Sequence, residues 1–175
     1  VVLLGGQISV ESDTGQGSTF TIHFRNVLTS DTQYTKMSQP ALGWQDVNFR
    51  ESTVLIIDDV EDNLKFLGEM LDYAGLKVIK ANNAEQAINI LTYEAPDLVI
   101  TDIRMPGMDG FDLLDYMKDN DFTAGIPVIA SSASVLNSPE MEEKLLRFDG
   151  YLLKPIQTSE LIGNLIKHLP HQLTK

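Results

Sequence analysis

The sequence predicts an α/β fold: a doubly wound, five-stranded parallel sheet with helices on both faces, preceded by an N-terminal β-hairpin remnant. Three observations predict it. From Thr53 onward, short apolar runs alternate five times with stretches of helical period. The runs Val54-Leu55-Ile56-Ile57 and Leu98-Val99-Ile100 are apolar throughout, as strands covered on both faces should be. Two runs end in acids and a third ends in lysine. That gathers the chemistry at the carboxyl edge, where open parallel sheets bind ligands.

The hairpin comes first. Gln7-Ile8-Ser9-Val10-Glu11-Ser12 alternates polar and apolar, Asp13-Thr14-Gly15-Gln16-Gly17 supplies turn chemistry, and Thr19-Phe20-Thr21-Ile22-His23-Phe24 alternates again. A two-stranded hairpin is marginal in water, so residues 1–25 are expected either to be disordered or to pair with another surface or chain. Residues 26–52 lose the period and are rich in Ser, Thr, Gln and Asn. So long an aperiodic segment reads as a linker, with Trp44 and Phe49 either pinning it to a neighbouring surface or, equally, left loosely packed within it.

Beyond the linker, strands are expected at 53–58, 76–80, 97–101, 126–130 and 150–153. Helices are expected at about 61–74, 83–94, 109–119, 138–147 and 158–169. In the second helix Ala87, Ile88 and Leu91 fall at i, i+1 and i+4, one stripe of a helix; Leu161, Ile162 and Leu165 repeat that spacing in the last. Right-handed crossovers between parallel strands place such helices on both faces.

Composition narrows the function. Of 175 residues, 43% are hydrophobic, enough for a core, and the formal net charge is −12. That charge argues against binding a nucleic-acid backbone and suits a module that docks on protein or holds a cation. There is no cysteine, which removes disulfides and thiolate metal sites. No apolar run approaches the ~20 residues of a membrane span. The first residue is Val and no signal-peptide pattern follows, so the chain is expected to be a cytoplasmic piece of something longer.

The strand ends carry the chemistry. A carboxylate can attack a phosphoryl group, but two anions repel one another, and a divalent cation offsets that repulsion. Magnesium needs only two or three protein oxygens because it keeps several waters. Asp58, Asp59 and Asp102 can supply an acidic pocket, and Lys154 can pair with a phosphoryl oxygen as charge develops. Each piece has a plainer explanation: Asp58 or Asp59 as a helix cap, Met105-Pro106-Gly107-Met108-Asp109-Gly110 as a turn into a cap at Asp109. Their conjunction at one edge, with a hydroxyl on the fourth strand, favours the site.

On these segments residues 53–172 resemble the receiver domain of two-component response regulators: Leu55-Ile56-Ile57-Asp58-Asp59, Thr101-Asp102-Ile103-Arg104-Met105-Pro106-Gly107-Met108-Asp109-Gly110, Pro127-Val128-Ile129-Ala130-Ser131-Ser132-Ala133 and Tyr151-Leu152-Leu153-Lys154-Pro155-Ile156. The resemblance implies the flavodoxin-like strand order 2-1-3-4-5. It implies Asp102 as phosphoacceptor and Mg2+ held by Asp58, Asp59, Asp102 and the backbone carbonyl of Arg104. Lys154 would bind the phosphoryl group. It also implies a switch pair of hydroxyl and aromatic. Ser131 and Ser132 face opposite sides of a strand, and the family pattern, hydroxyl directly before Ala, selects Ser132. Tyr151, three residues before the lysine, stands where the family's rotating aromatic lies.

Residues 1–25 resemble a different family. Leu3-Leu4-Gly5-Gly6-Gln7-Ile8-Ser9-Val10-Glu11-Ser12 followed by Gly15-Gln16-Gly17-Ser18-Thr19-Phe20 is similar to the last hairpin of a histidine-kinase ATPase domain. The match covers only that hairpin, so useful ATP binding is not expected of this chain. Next to a receiver it implies the C-terminal part of a hybrid sensor histidine kinase, whether or not that parent is membrane-anchored. The implied partners are the kinase's phosphohistidine domain and a histidine phosphotransfer protein, with a homodimer through the fourth and fifth helices open to such domains. Two other functions compete. A metal-dependent phosphatase would carry a second acid two residues after the nucleophile, where Arg104 stands. A phosphorylation-independent docking domain would have no need of the acids, hydroxyl and lysine retained here.

Overall fold

The computed structural model describes residues 7–13, 17–23, 42–133 and 139–174, and the chain divides into two compact units, Val1–Gln39 and Pro40–Lys175. In the first unit β1 (Gln7–Asp13) and β2 (Gly17–His23) form an antiparallel hairpin, in register from Gln7 opposite His23 to Asp13 opposite Gly17. The expected turn residues 14–16 lie outside the described residues. Val10 and Phe20 face one another across the hairpin and are 58% and 67% exposed, with Ile8 exposed nearby. One face of the hairpin is therefore apolar and bare within its own unit.

The second unit begins with a 3-10 turn at Trp44–Asp46 and β3 (Val47–Phe49). There follow β4 (Thr53–Ile57), α1 (Glu61–Tyr73), β5 (Lys77–Ala81), α2 (Ala84–Leu91), β6 (Leu98–Asp102) and α3 (Gly110–Lys118). Then come β7 (Val128–Ser132), α4 (Pro139–Leu145), β8 (Gly150–Leu153), α5 (Thr158–His168) and β9 (His171–Leu173). The parallel sheet has the order β5-β4-β6-β7-β8, which is 2-1-3-4-5 counted from Thr53, as expected.

Alternation along the strands divides the core in two. Leu55, Ile57, Val99, Val128 and Ala130 join Ala87, Leu91, Leu113 and Leu114 of α2 and α3 on one face. Val54, Ile56, Leu98, Ile100, Ile129 and Leu152 join Leu67 and Leu71 of α1 and Leu161 and Leu165 of α5 on the other. Successive side chains of a strand point to opposite faces, so a run such as Val54–Ile57 feeds both layers. Burying each of the Val, Leu and Ile side chains is worth about 1.5–3 kcal/mol, and the alanines less.

Local chemistry sets the element ends. α1 stops in a Schellman motif: Gly75, at φ 78°, donates to the Asp72 carbonyl, and Leu76 donates to that of Leu71. Asp109 caps α3 as expected, its Oδ1 accepting from the amides of Phe111 (2.8 Å) and Asp112 (2.9 Å). Asn83 caps α2 through Gln86 N at 2.7 Å. The strand expected from 126 starts at Val128, because the Ile126 amide donates to the Thr123 carbonyl and closes the preceding turn.

Within the segment read as linker, residues 42–52 are described and fold against the sheet unit. β3 pairs with β9, Val47 opposite Leu173 and Phe49 opposite His171. Trp44 meets Tyr73 of α1 edge-on, with ring centroids 6.5 Å apart, and Phe49 lies 6.3 Å from the ring of His171. Both aromatics thus pin the segment.

Candidate functional site

Strand ends bring the candidate residues together. β4 passes from Ile57, 2% exposed, directly into Asp58, which is 6% exposed, while Asp59 next to it is exposed. β6 ends in Asp102, 8% exposed. Each carboxylate offers an oxygen within 4.8 Å of the others'. Lys154, just past β8, spans two of them: its Nζ donates to Asp58 Oδ2 at 2.6 Å and to Asp102 Oδ2 at 2.5 Å. The Lys154–Pro155 peptide is cis.

Backbone and amide groups fix the acids. Asp58 Oδ1 accepts from Val60 N at 2.9 Å and from Asn63 Nδ2 at 2.9 Å, and the same amide reaches Asp58 Oδ2 at 3.1 Å. Asp102 Oδ1 accepts from the Arg104 amide at 3.1 Å. The turn after Asp102 closes by Gly110 N donating to the Ile103 carbonyl at 3.0 Å.

Three carboxylates and one ammonium leave two negative charges in excess, all on hard oxygen atoms. That donor set fits a hard divalent cation such as magnesium. Burial lowers the Lys154 pKa; the hydrogen bonds and charges of Asp102 and then Asp58 more than offset it, and the net shift is upward. The ammonium therefore stays charged through the physiological range.

The remaining expected residues lie on, or just past, the strands β6, β7 and β8. Ser132 ends β7, 5% exposed, and its carbonyl accepts from Lys154 N at 2.9 Å. Ser131 takes the opposite face of the sheet, in register with Asp102. The Arg104 side chain is exposed beside the pocket. Tyr151 is 52% exposed on β8. Sequence reasoning missed Asn63, whose amide holds both oxygens of Asp58. Its signal was slight: a carboxamide five positions after the acid, in the first turn of α1, reads as ordinary surface.

A doubly wound parallel sheet with acids and a lysine converging on its carboxyl edge defines an α/β class with one edge site. Within that class, the family model for the response regulator receiver domain matches residues 54–166, and the chain belongs to that family. It is thus a receiver domain of two-component, phosphorylation-based signalling. The chain is 28% identical over 117 residues to the polar-differentiation response regulator DivK of Brucella anthropi, covering 67% of this chain and 95% of that one. Among solved structures it is similar to the signal receiver domain of a signal transduction histidine kinase from Syntrophus aciditrophicus, at 27% identity and a TM-score of 0.60, covering 66% of this chain and 88% of that one. The receiver domain of a sensor histidine kinase from Pseudomonas aeruginosa, with magnesium coordinated in its active-site cleft, shares the fold at 24% identity and a TM-score of 0.62, covering 68% of this chain and 98% of that one. No helix among the described residues is long and apolar enough to cross a membrane.

Proposed function

We propose that Asp102 accepts a phosphoryl group from a phosphohistidine and that the resulting acyl phosphate switches a docking surface. The observation that carries this reading is Lys154 Nζ bonded to both Asp58 and Asp102, a cation held where charge would build on a phosphoryl oxygen. Asp58, Asp59, Asp102 and the Arg104 carbonyl would hold Mg2+. The ion would neutralise the repulsion between carboxylate and phosphoryl group. An Asp102 oxygen forms the new O–P bond as the P–N bond of the donor breaks, and the electron pair leaves with the imidazole. The Arg104 amide holds Oδ1 and Lys154 holds Oδ2, so the carboxylate is oriented before the donor arrives.

Ser132 and Tyr151 form the switch in this reading. Ser132 would move toward the phosphoryl oxygens and Tyr151 would leave its exposed position and follow, altering the surface of α4, β8 and α5. The phosphoryl group then passes to a histidine phosphotransfer protein or is hydrolysed. We assign residues 53–172 to the receiver, 26–52 to the linker and 1–25 to the last hairpin of a histidine-kinase ATPase domain, in a hybrid kinase acting in the cytoplasm. The bare apolar face of Ile8, Val10 and Phe20 supports a hairpin belonging to a larger sheet, and two of the similar structures are receivers of histidine kinases.

The test is intact-mass analysis after incubation with a small acyl-phosphate donor, with Mg2+ or EDTA. Wild type should gain one phosphoryl group only with Mg2+, and Asp102→Asn should gain none. No adduct in wild type, with Mg2+ binding verified separately, would favour a phosphorylation-independent docking domain.

A further inference from the structure

Beneath Lys154 and Pro155, on the α1 face of the sheet, lies a cavity of about 160 Å³. Ile56, Leu64, Leu67, Ile100 and Ile156 give it aliphatic walls, and exposed Phe66 and Pro155 stand at its rim. Ser131 also lines it. This residue is 3% exposed, and its Oγ has no hydrogen-bond partner. A buried hydroxyl without a partner costs free energy, so such groups ordinarily find one. Here the strand alternation that turns Ser132 to the other face turns Ser131 onto the face of Ile129 and Ile100, into the aliphatic wall.

The other polar groups lining the cavity are already engaged with one another. Lys154 is bonded to Asp58 and Asp102, and the Asn63 amide to Asp58. A charged occupant would find no unengaged counter-charge among them, whereas Ser131 Oγ can both donate and accept. Aliphatic cavities of about 150 Å³ admit a benzene-sized molecule. We infer that this cavity is a binding site for a small uncharged molecule, a single ring or compact branched chain carrying one hydroxyl that bonds Ser131. Asp58 and Lys154 line both this cavity and the acidic cluster, so occupancy is linked to divalent-cation affinity, and the linkage runs both ways. The linkage rests on the cluster holding a cation; the occupancy does not.

Phenol and benzene serve as probes, followed by methyl NMR on the intact chain without metal. Phenol should shift the methyls of Ile56, Leu64, Leu67, Ile100 and Ile156 along a saturable isotherm. Ser131→Ala should weaken phenol at least about threefold and leave benzene unchanged, because it removes the hydroxyl and keeps the space. Ser131→Val, which puts carbon into the space, should weaken both. Absent or non-saturating shifts, or equal loss of phenol and benzene in Ser131→Ala, would overturn the site; so would ordered water persisting at Ser131 in crystals soaked with phenol. A second titration with Mg2+ at saturating phenol should move the cation's dissociation constant at least about twofold in wild type. An unmoved constant with the methyl shifts intact would overturn the linkage alone.

Discussion

Gly110 packs directly against the backbone of Asp102: a Cβ at Gly110 would stand 2.5 Å from the Asp102 carbonyl oxygen and 2.9 Å from Ile103 Cα. The first residue of α3 is thus the wall behind the candidate phosphoacceptor, and it tolerates no side chain. The obstacle is backbone, which cannot rotate aside as a flexible side chain can.

Gly110→Ala should therefore push α3 away from the end of β6. Overpacking of this kind costs about 1–3 kcal/mol, so the midpoint of urea unfolding should fall with little change in slope. Phosphorylation by the small donor should slow as well. An unchanged midpoint would show that the contact relaxes without cost.

Asn63→Ala removes the amide that spans both oxygens of Asp58. Groups that orient metal ligands from outside typically affect affinity by about 10–100-fold when lost. Mg2+ affinity, read by calorimetry, should drop by about tenfold, while Asp102 remains present to accept a phosphoryl group at saturating Mg2+.

The raised pKa of Lys154 gives a signed pH dependence. The folded state holds that proton more tightly than the unfolded chain, so the contribution is complete below the ordinary lysine value of about 10.4. It is lost as pH rises through the higher folded value. The stability difference between wild type and Lys154→Met should be flat from pH 7 to about 10 and narrow above that. Denaturant melts in paired buffers measure it.

Truncation after Leu169 deletes β9 and leaves β3 without a partner. Val47, 5% exposed in the intact unit, would gain solvent. Melting should fall by several degrees, and the emission of Trp44, the one tryptophan in the sequence, should shift to the red as its contact with Tyr73 loosens.

Much of this architecture is legible in the sequence, for identifiable reasons. Val54–Ile57 and Leu98–Ile100 are apolar on both faces, and only a covered strand has use for that pattern. Asp109, followed by a helical stripe, marked its own cap. Asp58, Asp59, Asp102 and Lys154 stood at strand ends, which a parallel sheet aligns along one edge. β3 and β9 escaped notice because three residues cannot display a period, and their partners lie at opposite ends of the unit's sequence. Asn63 and Gly110 escaped for another reason: their significance is a distance to a single neighbour, and neither composition nor spacing encodes a distance. Ser131 was separated from Ser132 by alternation, but that it would face an empty volume required the packing of α1.

The pairing of β3 with β9 has a mechanical consequence. Its strands run antiparallel, and the Thr174 amide bonds the Asp46 carbonyl at 2.9 Å, so the incoming and outgoing chain meet at one point. Tension applied between Asp46 and Thr174 would peel this short ladder one pair at a time, beginning beside Val47 and Leu173, before any load reached the parallel strands. The unit can be spliced into a longer chain as a cassette whose two leads emerge together, with the ladder acting as a mechanical fuse that yields first and spares the candidate site at the sheet edge.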